Sequence, residues 1–207
     1  MNPFEIQDRY RKIIPELIFT QEPDNWRHPK NLYFLLKHEP TESQIQAIYY
    51  SDTGKLKLSL VSIKYELEGT CGLLVTYFFV KIFVIMSSYI KLYDNLKKKP
   101  EKGEVEVSSL YYEKAAMCYF KAFQAVGFRI TPDSHKTLKK EVFRNRTNQL
   151  EQRDFYLEFD YIGGQLDHKN LYVFYKQTRL DEQGVPFEYT WKISKEGILL
   201  FRLVKNI

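Results

Sequence analysis

Residues 69–92 read GTCGLLVTYFFVKIFVIMSSYIKL, and what this stretch forms decides the fold around it. Between Gly72 and Ile90 the hydropathy averages roughly 1.8, in the range of membrane spans, and Lys81 is the only charge. About 20 such residues, rising about 1.5 Å each, cross a hydrocarbon core. Tyr77 and Tyr89 stand near the two ends, and Lys91, Lys97, Lys98 and Lys99 follow as a collar. Lys81 works against the span, since a charge at the midplane costs about 2.5–3.5 kcal/mol unless it is paired or snorkels. A span that carries it should therefore face protein, which makes Lys81 a candidate partner-binding residue. Two other readings fit the same residues: the core helix of a soluble domain, and a hairpin turning at Gly69–Gly72. The span is the reading carried forward.

Downstream, residues 93–207 read as an α+β domain. Lys97 to Glu106 is a charged linker. Ser108 and Ser109 offer N-cap oxygens. Tyr111, Ala115, Cys118, Ala122 and Val126 then recur at helical spacing until Gly127, which suits the position after a helix end. Thr131-Pro132-Asp133-Ser134 opens a second, basic helix running to Phe143. Alternating runs at 155–161, 171–175 and 187–193, with an apolar run at 198–204, predict a four-stranded antiparallel meander under one helix. Trp191 and Phe159 are expected on its helix-facing side.

Upstream, residues 1–68 are punctuated by Pro3, Pro15, Pro23, Pro29 and Pro40. Ile13, Ile14, Leu17 and Ile18 suit one helical turn, and Pro29 suits the first turn of the run Asn31 to Leu36. Thr41 as N-cap with Gln44 three residues later predicts a helix through Tyr50. Leu56 to Leu67 carries both periods: alternation at 56, 58 and 60, and helical spacing at 56, 60, 63 and 67. A helix leading into 69–92 is favoured. The expected order is thus a mostly helical N-terminal part (1–68), one long apolar helix (69–92), then helix plus meander (93–207).

Composition sets the outer limits. A chain of 207 residues suffices for one domain and a smaller appendage. With 44% apolar and 16% aromatic residues it is not a disordered chain. Cys71 and Cys118 are its two cysteines, too few for a disulfide framework. The net charge is +5, but acids interrupt most basic stretches outside Lys97–Lys99 and Lys136 to Arg146, which argues against a nucleic-acid partner. Met1 to Arg11 contains Glu5 and Asp8 and lacks the apolar region of a secretory signal.

The order of parts, with YYEKAAMCYFKAFQAVGF (111–128), DFYLEFDYIGG (154–164), NLYVFYKQ (170–177) and FEYTWKIS (187–194), resembles the family of mitochondrial presequence-translocase regulatory subunits and cytochrome-oxidase assembly factors. The resemblance implies a single span in the mitochondrial inner membrane and a domain that docks onto protein subunits without catalysis. The long N-terminal part departs from that pattern.

Candidate chemistry is sparse. His28 and His38 are ten residues apart with no third ligand beside them, so no zinc site is expected. His135 begins a basic helix, where an exposed imidazole is the ordinary case. Glu158 and Asp160 share one strand face, as a hydrolase's carboxylates could, yet alternation on a solvated face accounts for them. No nucleophile–base–orienter set, metal site or cofactor loop is assembled by spacing. The expectation is a protein that binds: a non-catalytic, membrane-anchored accessory subunit or assembly factor of a larger complex. The alternative is a soluble, cytoplasmic α+β interaction module of inhibitor, immunity or adaptor type, with 72–90 as its core helix. Tyr172, Phe174 and Tyr189 are the candidate partner-binding residues, because their strands carry aromatics on both faces and one helix covers only one.

Overall fold

One parallel pairing organises the chain. Strand β4 (Lys55–Ser62) lies alongside β5 (Lys102–Val107), with Leu56 opposite Gly103 and Leu58 opposite Val105. Parallel neighbours cannot be joined by a turn, so the chain must cross a face of the sheet to return. Helix α2 (Cys71–Leu92) is that crossing. The computed structural model describes residues 3–67, 69–93, 96, 99–107, 112–146, 154–164, 171–180 and 183–205. The side chains of residues 65, 112–113, 141–146, 173–177, 179 and 205 fall outside this description.

The N-terminal part is largely strand, not helix. After α1 (Pro3–Ile13) and a single 3-10 turn at Ile14–Glu16 come β1 (Leu17–Pro23), β2 (Asn31–His38) and β3 (Ser43–Tyr50), each antiparallel to the next and then to β4. Thr41 closes a 3-10 turn and caps no helix; Glu42 follows at φ 55°, and the chain reverses there. The helix expected over 41–50 is therefore β3, whose Ser43, Ile45, Ala47 and Tyr49 are buried while the intervening residues face outward. Likewise Leu56 and Leu58 obey the period of two, and the segment favoured as helix is β4. The charged stretch Lys102 to Val107, expected to be linker, is β5: Gly103, Val105 and Val107 point inward and Lys102, Glu104 and Glu106 outward.

The expected four-stranded meander does not form. Helix α3 (Tyr112–Ala125) and α4 (Pro132–Arg146) match their sequence signals, with short strand β6 (Phe128–Ile130) between them. Strand β7 (Phe155–Tyr161) then inserts between β5 and β6, completing a mixed seven-stranded sheet in the order β1-β2-β3-β4-β5-β7-β6. Of the strands expected in the meander, β8 (Leu171–Leu180), β9 (Pro186–Ser194) and β10 (Leu199–Lys205) pair consecutively, as a separate three-stranded sheet. The class is α+β, with two sheets in place of one.

Helix α2 lies between those sheets. On one side Phe78 meets Phe19 of β1 at 5.9 Å between ring centroids. On the other, the β9–β10 turn at Gly197 presses on Tyr77, and the Tyr10 hydroxyl of α1 donates to the Gly197 carbonyl at 3.0 Å. An aromatic run extends from Phe34 and Phe19 through Phe78 and Phe79 to Phe123 of α3, which stacks on Phe159 at 4.3 Å. Gly127 ends α3 at φ 103°, and a Cβ there would lie 2.0 Å from the Gly163 carbonyl oxygen. Only glycine meets both conditions. Phe159 and Trp191 are both buried, but on different sheets.

Candidate functional site

The residues singled out from sequence do not converge. Lys81 leaves the buried part of α2 half-exposed, its Nζ 5.4 Å from the Tyr77 ring centroid. Its charge reaches the carboxylate of Glu196 in the β9–β10 turn. That carboxylate is held below its usual range by a hydrogen bond with Ser194, then by its own backbone, Lys195 and Lys81. Tyr172 and Tyr189 are 7% and 3% exposed and belong to the core, so in this fold they offer no outer patch. The correction follows from the two-sheet architecture: β9 turns Tyr189 and Trp191 toward the interior, against Phe201. The side chain of Phe174 lies outside the described residues, at an irregularity in the β8–β9 pairing.

A polar constellation not anticipated from spacing sits at the β2–β3 turn. His38 is 4% exposed; its Nε2 lies 2.9 Å from Glu16 Oε2 and its Nδ1 2.9 Å from Thr41 Oγ1. Thr41 Oγ1 is in turn 2.9 Å from Ser43 Oγ, which accepts the Lys64 backbone N–H at 3.0 Å. One proton arrangement satisfies the whole chain. Ser43 donates to Thr41, Thr41 to His38 Nδ1, and His38 Nε2–H to the Glu16 carboxylate. The order hydroxyl, imidazole, carboxylate has the connectivity of a hydrolytic relay. The adjoining cavity between Leu17, Leu36, His38 and Leu74 holds about 10 Å³, the space of one water. The network pins β1 to the β2–β3 turn. His28, the other histidine weighed as a ligand, is exposed in a loop where its backbone N–H bonds to Asn25. His135 is exposed on α4.

The seven-stranded sheet has an outer face turned away from the core. Its register aligns Tyr33, Ile48, Lys57, Glu104 and Glu158 in one row across β2, β3, β4, β5 and β7. Leu35, Gln46 and Leu60 form a neighbouring row. Ile18, Tyr33, Leu60 and Tyr156 are 45%, 44%, 37% and 51% exposed. On the β1–β3 side of this face Ile18, Tyr33, Leu35, Ile48 and Tyr50 alternate with polar neighbours such as Thr20, Lys37, Gln44 and Gln46. Toward β5 and β7 it becomes ionic, with Glu104 held by Lys55 at 2.8 Å and Lys57 at 3.4 Å. Glu158 and Asp160 belong to this solvated side, at alternate exposed positions of β7. The sequence signal for the face was the alternation of Gln44 and Gln46 with Ile45 and Ala47, obscured by Pro40 and Thr41, while Leu32 to Leu36 is apolar at every position.

Among the described residues no group of three or more His, Cys, Asp or Glu is placed to hold a metal ion. Comparisons with known protein families, with curated proteins and with solved structures found no match to this chain.

Proposed function

We propose that the chain is a protein-interaction module in which α2 is a core helix, and that it docks through the outer face of the seven-stranded sheet. The observation that carries this reading is the unbroken burial of Gly72 to Val80. Those positions cover every side of a helix, which supports packing between two sheets as the reason for the segment's hydropathy. The contact side is Tyr33, Leu35, Ile48 and Leu60. Tyrosine supplies large contact area at low entropic cost, and the Lys57–Glu104 margin gives the polar rim a protein partner meets. A partner of this kind is a folded protein with a flat patch that sets apolar groups against Tyr33, Leu35, Ile48 and Leu60 and hydrogen-bonding groups against Gln46, as inhibitors, immunity proteins and adaptors engage.

A second reading, the membrane-anchored accessory subunit implied by the mitochondrial family, draws on the last turns of α2. There Val84 is 38% and Leu92 74% exposed, and the helix reaches a mean hydropathy of 2.0. Ultracentrifugation after detergent-free lysis separates the two. A monodisperse supernatant protein supports the core-helix reading; recovery only with detergent overturns it. Docking is tested by Tyr33→Asp with Ile48→Asp, which should preserve the circular-dichroism spectrum and melting temperature while abolishing co-purification with the native partner. Unchanged co-purification refutes the face assigned.

A further inference from the structure

At one end of the seven-stranded sheet the last paired row is Asn31, Tyr50, Lys55, Lys102 and Asp160. The connections beyond that row are stitched to one another. The Ser51 N–H donates to the Lys30 carbonyl at 2.9 Å, the Glu101 N–H to the Gly54 carbonyl at 2.8 Å, and the Tyr161 N–H to the Glu101 carbonyl at 2.8 Å. A rim therefore runs from the β1–β2 loop through the β3–β4 turn and the start of β5 to the residues after β7. From β2 to β7 it covers four strand spacings, about 19 Å. Helix α2 returns the chain from the end of β4 to the start of β5, so its last residue, Leu92, lies toward this rim.

Three large apolar side chains stand out from this end: Trp26 is 66%, Leu92 74% and Ile162 52% exposed. Trp26 is displayed by a loop that is internally hydrogen-bonded. Asp24 Oδ1 accepts the Lys30 N–H at 2.8 Å and Oδ2 the Asn31 side-chain amide at 3.0 Å, while Asn25 Oδ1 accepts the Arg27 N–H at 2.8 Å. The loop is thus shaped in advance, with its largest apolar group in water. Arg27, Lys30, Lys91 and Lys99 are exposed beside these residues. In sequence the stretch 91–101 carries four lysines against Asp94 and Glu101. On the rim itself Asp52 and Glu101 are the exposed acids besides Asp24, whose carboxylate is engaged within the loop.

We propose that this rim rests reversibly on a bilayer that contains anionic lipid. Trp26, Leu92 and Ile162 enter the headgroup region, and Arg27, Lys30, Lys91 and Lys99 meet the lipid phosphates. Tryptophan favours the membrane–water interface, and aliphatic side chains beside basic ones hold a protein at that depth without a span. Each basic residue near an anionic leaflet strengthens binding about fivefold. Apolar anchors set apart by cations suit a fluid surface, which conforms to their spacing. A nucleic acid would stack on Trp26 but leave Leu92 and Ile162 without a role. The inference rests on the core-helix reading of α2, and it uses the end of the sheet, not its outer face.

The full-length protein should co-sediment with vesicles of mixed phosphatidylcholine and phosphatidylserine, not with phosphatidylcholine alone, and high salt should release it. Its tryptophan emission should shift to the blue on binding. Trp191 is buried, so the shift reports Trp26. Trp26→Ala should remove the shift and weaken binding by about tenfold or more, with an unchanged circular-dichroism spectrum. Arg27→Glu with Lys91→Glu should weaken it by about a hundredfold or more. Tyr33→Asp with Ile48→Asp should bind vesicles as the wild type does. A soluble, monodisperse protein that ignores the mixed vesicles overturns this proposal alone, whereas retention in the membrane through alkaline carbonate overturns the core-helix reading with it. Equal binding to neutral vesicles, wild-type binding by Trp26→Ala, loss of binding in the Tyr33/Ile48 variant, or binding of a single-stranded oligonucleotide in place of vesicles also overturns it.

Discussion

Gly103 of β5 and Phe123 of α3 share one volume: a Cβ on Gly103 would stand 2.5 Å from Phe123 Cε1. The missing side chain lets the Phe123 ring lie flat on Phe159, which pairs with Gly103 across the sheet. Gly103→Ala should cost about 1–3 kcal/mol, the usual effect of overpacking. Urea denaturation reads it. Adding Phe123→Leu should return part of the loss, and strictly additive effects would show that the two positions do not compete.

The Lys55–Glu104–Lys57 clamp predicts a pH dependence. Burial acts to raise the Glu104 carboxyl, but the two ammonium groups outweigh it and hold the pKa below the usual range. A depressed carboxyl contributes its full stability above the unfolded value of about 4.3. That contribution is lost as pH falls through the lower folded value. Lys55 is raised by the same hydrogen bond, so its share persists through neutral pH and disappears only on the alkaline side. Glu104→Gln should cost about 1 kcal/mol at neutral pH, and the difference should shrink in acid. A pH-independent difference would remove the ionic account.

At the β2–β3 turn, Ser43→Ala leaves the Lys64 N–H without its acceptor and should cost about 1–3 kcal/mol. Nitrogen NMR of the imidazole should find the His38 proton on Nε2. A proton on Nδ1 would reverse the chain of donors drawn through Thr41.

Inside α2, Val80 and Ile82 are both 0% exposed. Replacing either with Asp buries an unpaired carboxylate, a change that exceeds about 4 kcal/mol. Lys81→Leu, one position along, should stay within about 1 kcal/mol because Lys81 lies at the margin near Glu196. Chemical denaturation of the three variants checks the contrast. Equal losses at 80, 81 and 82 would be incompatible with a helix whose charged residue lies outside the core.

The C-terminal elements were legible because their signals are local. Gly127 stops α3, and Phe155, Leu157 and Phe159 alternate against Tyr156, Glu158 and Asp160. Their partners were not legible. Strand β7 lies beside β5 and β6, and nothing in residues 154–164 states that choice. β5 was hidden by its charges, since Lys102, Glu104 and Glu106 resemble a linker until Gly103, Val105 and Val107 are seen facing inward. At Thr41 a turn imitated a helix start: Thr and Gln at capping spacing also suit a hairpin when Glu42 takes a left-handed conformation. Tyr172 and Tyr189 were read as surface because one sheet under one helix leaves a bare side. A second sheet folded over α2 takes that side inward. His38 and Glu16 are far apart in sequence and meet only once β1 pairs with β2.

The parallel join between β4 and β5 also sets an order of assembly. Strands β1 to β4 pair with their sequence neighbours, so a nascent chain can form them while residues beyond 62 are still being synthesised. Their inner side, with Leu32, Phe34, Ile45, Tyr49 and Leu56, then awaits α2, which translation delivers on the order of seconds later. β7 enters last, wedging between strands already laid down. The unfinished sheet therefore exposes an apolar face and an unpaired edge at the same time, a state open to mispairing and to capture by holding chaperones. The yield of native protein should depend on how quickly the ribosome moves from residue 62 to residue 92.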